Sequence, residues 1–342
     1  MKTKAAILTE QRRPLEIDEV EIPALSYGQV LVQVKATRIC GSQLGEVAGV
    51  KGPDKFLPHL LGHEGGGIVL EVGPEVTKVK AGDRVMLHWR PGTGIQARPA
   101  VYSRRGARIN AGNITTFQEY TVVSENRVTL LPDSANFELA SLMADTLTTG
   151  FGSVCRVGRL ELGESVAVIG VGGIGMGAVL GAQLAGAAPL IAVDVEDHKL
   201  EAARRFGATH LINSRTQDLA TELARHCTTP LDLIIETSGR PQVIEQAWSC
   251  LGPKGRLVLV GVMPHDQQLR LNTLPMHFGK RLLATEGGES QPAQDLPRYL
   301  RLLARSGVDA TSMISHRVSL AEVNEAMDRM RSGESLHTLI LF

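Results

Sequence analysis

The sequence predicts an α/β protein in which a β-rich portion accompanies a doubly wound parallel sheet. Two sequence patterns support this prediction. Residues 1–130 alternate short apolar runs with Gly and Pro turns, as at 30–34, 67–72 and 84–87, which is typical of antiparallel or mixed β structure. From about residue 147, apolar strands alternate with helical patterns, which is the order expected for a parallel sheet.

Individual elements follow from the same periodicity. The predicted strands of the second half are 166–169, 190–193, 209–212, 232–236 and 256–260. Helices are predicted at 178–185, 198–206, 216–226 and 241–251. Near Gly287 the chain returns to helices, at about 293–305 and 320–332, and then forms a strand at 336–342.

Composition excludes several classes of protein. The 342 residues suggest two domains, and the 36 basic and 36 acidic residues give no net charge that would favour nucleic-acid binding. The four cysteines show no paired spacing, and the N-terminus has no signal-peptide pattern, so we expect reduced thiols and a cytoplasmic protein. The longest apolar stretch is interrupted by glycines, so no membrane association is expected.

A glycine-rich loop follows the predicted strand 166–169. It has the pattern G-x-G-x-x-G, with Gly170, Gly172, Gly173, Ile174 and Gly175 as the predicted cofactor contacts. The pattern alone is weak. A strand before it and a helix after it are the context in which a helix N-terminus faces a pyrophosphate, so a Rossmann dinucleotide site is predicted.

An acidic residue ends the next predicted strand. Asp194 follows the loop at roughly the 20-residue spacing at which a carboxylate accepts hydrogen bonds from the adenosine ribose. The same charge repels a 2′-phosphate, so NAD is predicted rather than NADP. Lys199 is included among the predicted cofactor contacts. The alternative, a glycine-rich turn without a ligand, leaves Asp194 and the strand unexplained.

Three residues of metal-binding type precede that loop. Cys40, His63 and Asp145 offer a thiolate, an imidazole and a carboxylate, a mixed set that suits Zn²⁺. Three protein ligands leave the fourth tetrahedral position open, as in catalytic zinc sites. A lone buried Cys is usually an inert hydrophobe, and a lone His in a Gly-rich stretch is usually a turn residue. The nearby nucleotide loop favours the metal hypothesis.

These patterns resemble the medium-chain zinc-dependent alcohol dehydrogenases over essentially the whole chain. Further similar segments are Gly62–Glu64, Gly82–Val85, a Thr148–Gly150 turn, Ile235–Gly239, Ser332–Glu334 and Thr338–Ile340. The resemblance implies a GroES-like β-rich catalytic, zinc-binding domain (1–146 and 287–342) and a Rossmann NAD-binding domain (147–286). It implies one catalytic Zn²⁺ per chain, NAD, a small-molecule secondary alcohol (polyol, sugar or cyclitol), and a homodimer or homotetramer.

The resemblance also implies roles for single residues. Ser42 matches the hydroxyl that accepts the substrate proton, although a turn serine is the alternative. Glu64 is either a transient metal ligand or a salt-bridged carboxylate. Trp89 matches a substrate-pocket aromatic, with ordinary core packing as the alternative. His337 corresponds to an arginine that contacts the pyrophosphate in some relatives, so we expect it to make a pH-dependent version of that contact with the cofactor. The alternative is a solvated His at a strand edge.

Three departures from the family pattern matter. Asp145 stands where much of the family has a cysteine, and Gln43 where it has an aspartate that orients the ligand His. The segment 88–115 lacks the cysteines of a structural zinc. It carries Arg98, Arg104, Arg105 and Arg108 instead, which we expect a neighbouring subunit or a polar substrate to neutralise. A zinc-free enone or quinone reductase and a non-catalytic NAD(H)-binding protein are the alternative functions, and the ligand triad argues against both.

Overall fold

The computed structural model describes residues 1–227 and 229–342. The chain forms two compact units. The first comprises Met1–Asp145 and Gln291–Phe342, and the second comprises Thr146–Ser290. The first unit is therefore assembled from two separate parts of the chain.

The elements are numbered along the described chain. The strands are β1 Lys2–Leu8, β2 Glu16–Glu21, β3 Gln29–Arg38, β4 His59–Leu60, β5 Glu64–Val72, β6 Arg84–His88, β7 Val101–Arg104, β8 Ala107–Asn110, β9 Tyr120–Ser124, β10 Val128–Leu130, β11 Val166–Ile169, β12 Leu190–Asp194, β13 His210–Asn213, β14 Leu231–Glu236, β15 Leu251–Leu259, β16 Arg281–Ala284, β17 Ile314–Val318 and β18 His337–Leu341. The helices are α1 Gly41–Ala48, α2 Phe137–Leu142, α3 Thr148–Gly152, α4 Gly173–Leu184, α5 Asp197–Arg205, α6 Leu219–His226, α7 Pro241–Cys250, α8 Pro292–Ser306 and α9 Val323–Arg331.

The first unit contains a barrel and a larger sheet. Strands β1, β2, β7, β8 and β4 close the barrel, and the sheet has the order β10-β6-β5-β3-β18-β17 with β9 also paired to β3. In β3 the side chains of Val30, Val32 and Val34 enter one apolar cluster, whereas Leu31 enters another. This alternation is the period of two expected for a strand that separates two cores. The late strand β18 pairs antiparallel with β3 and so completes the early sheet.

The arginine-rich segment forms the hairpin β7–β8 of the barrel. Arg104 contacts Glu16 Oε2 and Asp18 Oδ2 of β2, each at 2.7 Å, and Arg105 contacts Asp18 at 3.2 Å. Hydrogen bonding from Arg104 lowers the pKa of Glu16. The expectation that another subunit or a substrate must neutralise these charges is therefore wrong for Arg104 and Arg105. Carboxylates of the adjacent strand already do so.

The second unit confirms the predicted parallel sheet. Its six strands lie in the order β13-β12-β11-β14-β15-β16, every neighbouring pair is parallel, and this is the order of a doubly wound nucleotide-binding fold. The edge strand β16 was not predicted, because its apolar run has only three residues, Leu282, Leu283 and Ala284. No helix of the described residues has the length and apolarity needed to cross a bilayer.

One helix was missed and one local prediction was wrong. Helix α1 was not predicted from the sequence. The predicted Thr148–Gly150 turn is helical and lies in α3. Gly150 is needed for close packing rather than for a turn, because a Cβ there would lie 2.4 Å from the backbone nitrogen of Ala178 in α4.

Gly175 and Gly172 of the nucleotide loop differ in how closely other atoms approach them. This difference predicts that substitution of the two residues has different effects on the stability of the protein. A Cβ at Gly175 would lie 1.8 Å from the Gly170 carbonyl oxygen, so Gly175→Ala must open the turn before α4. We expect a loss of about 1–3 kcal/mol in the free energy of unfolding, measured with urea. Gly172→Ala is the matched control, because its Cβ would meet nothing within 4 Å. It should change stability by less than about 0.5 kcal/mol, and equal losses in both variants would contradict this assignment.

Candidate functional site

Four side chains with metal-binding atoms converge in the first unit. Cys40, His63, Glu64 and Asp145 each offer one ligand atom, and these atoms lie within 4.8 Å of one another. Cys40, Glu64 and Asp145 are buried, and His63 is partly buried. The structure thus brings the three predicted ligands together and adds Glu64 to the group.

Strand pairing explains why Cys40 and His63 meet. Cys40 follows the end of β3 and caps the N-terminus of α1, and His63 directly precedes β5. The two strands are antiparallel neighbours, so the end of β3 lies beside the start of β5. Before His63 the chain passes close to a neighbouring segment: Gly62 has φ +90°, and a Cβ there would lie 2.3 Å from Thr116 Oγ1.

Asp145 reaches the cluster from a distorted helix. It lies in the π-helical segment Met143–Leu147, which continues α2. Single π-helical turns inside helices are frequent at functional sites, because the extra residue shifts side chains out of the α-helical register. Asp145 Oδ2 lies 3.3 Å from His63 Nε2, so this ring nitrogen faces the carboxylate.

The electrostatics of the cluster favour the thiolate of Cys40. Burial raises the pKa of Cys40, but the neighbouring His63 and Arg38 lower it to a value below that of an ordinary thiol. Burial likewise opposes the charged form of His63, yet its hydrogen bonds to Asp145 and Cys40 raise the pKa of its ring well above 6.5. Metal binding would release the imidazole proton, since only neutral imidazole is a ligand.

Glu64 takes part in a buried ion pair. Arg38 Nη1 donates to Glu64 Oε1 over 2.9 Å, and both side chains are almost fully buried. Of the two roles predicted for Glu64, the structure shows the salt-bridged carboxylate, while its position in the cluster keeps it beside the candidate ligands. Arg38 was not identified from the sequence. The available signal was an arginine two residues before Cys40, at the end of a strand whose first half is rich in valine.

His337 is fully buried at the start of β18. Its Nδ1 accepts a 2.7 Å hydrogen bond from Arg38 Nε, and its Nε2 is buried without a partner among the described residues. Burial lowers the pKa of His337 well below its usual value, so the ring is neutral. The alternative of a solvated strand-edge His is wrong. This placement also gives no support to the predicted pH-dependent contact with a pyrophosphate, which requires an accessible, chargeable ring.

Ser42 and Gln43 surround the other nitrogen of His63. The Ser42 hydroxyl lies 3.5 Å and the Gln43 amide nitrogen 2.6 Å from His63 Nδ1. The Gln43 amide oxygen accepts from the Cys40 backbone N–H at 2.8 Å. An imidazole that binds a metal through Nε2 carries a proton on Nδ1, which also needs an acceptor. In this structure the Gln43 amide oxygen accepts from the Cys40 N–H and the amide nitrogen faces His63, whereas the two oxygens of an aspartate could accept from both donors.

Trp89 lies immediately after β6 and reaches the cluster. Its indole Nε1 donates to Asp145 Oδ1 over 2.7 Å. The sequence placed Trp89 in a substrate pocket or in the core, and neither prediction included a hydrogen bond to a candidate ligand.

Apart from His337, the predicted cofactor residues lie in the second unit. Gly170, at φ +83°, follows β11, and α4 begins at Gly173, so Gly173, Ile174 and Gly175 form its first turn. Asp194 Oδ2 accepts from the Val171 N–H at 2.8 Å, which ties the loop to the end of β12. Asp194 Oδ1 accepts hydrogen bonds from the backbone N–H groups of Val195 and Glu196.

Lys199 and Thr237 also belong to the second unit, and only Lys199 was predicted to contact the cofactor. Lys199 lies in α5, a helix that packs near β12. Thr237 was not identified from the sequence as part of the loop's support. Its hydroxyl donates to the Gly170 carbonyl at 2.6 Å and anchors the loop from the end of β14.

Comparison with known proteins agrees with this architecture. The family described as alcohol dehydrogenase GroES-like domain matches residues 26–133, and the family described as zinc-binding dehydrogenase matches residues 173–305. The alcohol dehydrogenase class-3 of Cereibacter sphaeroides is 31% identical, and the S-(hydroxymethyl)glutathione dehydrogenase of Paracoccus denitrificans is 30% identical, each over 100% of both chains.

Solved structures agree as well. An alcohol dehydrogenase zinc-binding domain protein from Burkholderia ambifaria has a TM-score of 0.92 at 26% identity, covering 100% of this chain and 99% of its own. The benzyl alcohol dehydrogenase of Acinetobacter calcoaceticus has a TM-score of 0.90 at 25% identity with the same coverage. The chain therefore belongs to the medium-chain zinc-dependent alcohol dehydrogenase family.

Proposed function

We propose that this chain is an NAD-dependent alcohol dehydrogenase in which Cys40, His63 and Asp145 hold one catalytic zinc ion. The observation that carries the proposal is the convergence of their ligand atoms within 4.8 Å. A thiolate, an imidazole and a carboxylate suit zinc, and the lowered pKa of Cys40 supplies the thiolate form. The sequence has no cysteine between Cys40 and Cys155, so no four-cysteine structural site accompanies it.

The two cofactors would supply the redox chemistry. When bound, zinc would lower the pKa of the substrate hydroxyl as a Lewis acid, and NAD would take up the hydride. The protein's own residues would position these groups. The loop from Gly170 to Gly175 would bind the pyrophosphate at the N-terminus of α4, and Asp194 would bind the ribose. The open space beside Gly172 fits a group that approaches the backbone closely.

Ser42 would receive the proton of the alcohol. Its hydroxyl is exposed and lies 3.5 Å from His63 Nδ1, so it is beside the candidate ligands without being one of them. A hydroxyl can accept one proton while it donates its own, which is the requirement for a relay. Gly45 offers no side chain to carry the proton further, so water or the ribose hydroxyls would complete the transfer.

The substrate that we propose is a secondary alcohol of a polyol, sugar or cyclitol. Arg104 and Arg105, which suggested a polar substrate, are paired within the barrel. The polyol assignment therefore rests on the family resemblance. A panel with a polyol, a cyclitol, benzyl alcohol and S-(hydroxymethyl)glutathione tests it, because two of these are named for the relatives above. A kcat/KM highest for either of the last two would overturn the polyol assignment.

Metal content gives the first test of this function. Purified protein should contain about one equivalent of zinc per chain, and Asp145→Ala should lose most of its zinc and its activity because one of three ligands is removed. Elemental analysis and a turnover assay measure both. Asp133→Ala is the matched control, because it removes an exposed carboxylate of the same unit that lies 3.6 Å from Arg84 Nη1 and outside the candidate metal cluster. Normal zinc content in Asp145→Ala would exclude Asp145 as a ligand.

Cofactor preference gives the second test. The Asp194 carboxylate should favour NAD over NADP by about 1–3 kcal/mol in kcat/KM, the scale for a charged hydrogen bond left unmade. Asp194→Asn removes the charge and should narrow this preference, and it also replaces one of the two oxygens that accept backbone N–H groups. Asp197→Asn, which changes an exposed carboxylate in the first turn of α5, should leave it unchanged. Equal values for NAD and NADP in the wild-type chain would refute the role of Asp194.

The proton relay gives the third test. Ser42→Ala should lower the rate of alcohol oxidation by roughly 10²-fold, as expected when a general acid–base group is removed, and zinc content should stay the same. Ser42→Thr retains the hydroxyl and should keep most of the activity. If Ser42→Ala oxidises alcohol at the wild-type rate across pH 6–9, the relay does not use this residue.

A further inference from the structure

The two carboxylate oxygens of Asp145 have different neighbours. Oδ1 accepts the indole N–H of Trp89 at 2.7 Å. Oδ2 lies 3.3 Å from His63 Nε2, the nitrogen that faces the cluster. The indole contact is therefore on one oxygen, and the candidate metal position is on the side of the other.

We propose that Trp89 is a positioning residue that orients Asp145 as a ligand through a single oxygen. This inference rests on the zinc site proposed above. A cysteine has one ligand atom, so its orientation needs no further control. A carboxylate has two oxygens and can also bind a metal through both. A hydrogen bond that occupies Oδ1 favours binding through Oδ2 and keeps the remaining coordination position for the substrate.

The chemistry of indole suits this task. The indole nitrogen is a donor only, so it cannot compete with Asp145 for a cation. It is also neutral. A Lys or Arg at the same place would neutralise the carboxylate and weaken its attraction for a metal, whereas Trp leaves the negative charges of Cys40 and Asp145 available to balance a divalent ion.

The backbone beside Trp89 is held firmly. His88 is the last residue of β6, pairs with Glu64 of β5, and is fully buried. Its ring contacts the Arg90 carbonyl at 2.7 Å and the Thr129 hydroxyl at 2.9 Å. Burial lowers the pKa of His88 to about 4, so the ring stays neutral and these contacts persist at neutral pH. Because the chain is fixed on both sides of Trp89, its indole is presented to Asp145 from a rigid strand end.

Trp89→Phe tests the inference, since it keeps an aromatic ring and removes the N–H. We expect the dissociation constant for Zn²⁺, measured on the full chain by chelator competition, to rise about 10- to 100-fold, the usual effect of losing a partner of a metal ligand. Trp248→Phe is the matched control. It removes the other tryptophan of the chain, whose indole donates to the Asn272 carbonyl in the second unit, and it should leave the dissociation constant unchanged.

The same Trp89 substitution made in an Asp145→Cys variant separates the orientation of the ligand from other effects of Trp89. In Asp145→Cys the ligand has a single atom, so adding Trp89→Phe should change the zinc dissociation constant by less than about 3-fold if the two residues are coupled. If Trp89→Phe raises the zinc dissociation constant equally in the wild-type chain and in Asp145→Cys, the inference is overturned. A changed KM for the alcohol with an unchanged zinc dissociation constant would assign Trp89 to the substrate pocket instead.

Fluorescence provides a readout that does not depend on the folding of Trp89→Phe. The Trp248→Phe chain has Trp89 as its only tryptophan, and Zn²⁺ should change the emission of an indole bonded to a ligand. Unchanged emission on saturation with zinc would overturn the inference. If the wild-type chain binds no zinc, the proposed function fails as well. Zinc binding with equal dissociation constants in wild type and Trp89→Phe overturns only the role of Trp89.

Discussion

A buried ion pair between Arg38 and Glu64 ties β3 to β5 at the place where both candidate ligands leave the sheet. Arg38 is the last residue of β3 and Glu64 the first of β5, and their side chains are 2% and 0% exposed. Removing one partner of such a pair typically costs about 3–5 kcal/mol, because the other charge is left buried. Cys40 lies two residues after Arg38, and His63 directly precedes Glu64, so the position of the candidate metal-binding atoms depends on this pair.

Neutral groups complete the same site. His337 accepts the Nε hydrogen of Arg38, Gln43 contacts both Cys40 and His63, and Trp89 donates to Asp145. None of these three groups carries a charge at neutral pH, since burial keeps His337 neutral. The charge of the cluster therefore comes from Cys40, His63 and Asp145 and from the Arg38–Glu64 pair. If Cys40 and Asp145 bind a divalent cation as proposed, their two negative charges would balance it.

In the second unit, the loop from Gly170 to Gly175 is held in place by neighbouring strand ends and also leaves its backbone open to a ligand. Gly175 allows the close turn against Gly170, and Thr237 and Asp194 hold the loop from two strand ends. Asp194 thus has a structural contact with the Val171 N–H in addition to its proposed role at the ribose. Because Gly172 has open space where a Cβ would stand, the loop can be stable and still leave its backbone accessible to a ligand.

The sequence by itself determined the parallel sheet, the glycine loop and the three residues that we propose as metal ligands. These features are carried by local periodicity and by side-chain chemistry, which neighbouring residues specify. The tertiary structure alone decided that Trp89 bonds to Asp145, 56 residues away, and that Arg38 bonds to His337, 299 residues away. It also decided that Arg104 is paired within the barrel. Local patterns contain no information about partners at such separations, because strand order and register bring those side chains together only in the folded chain.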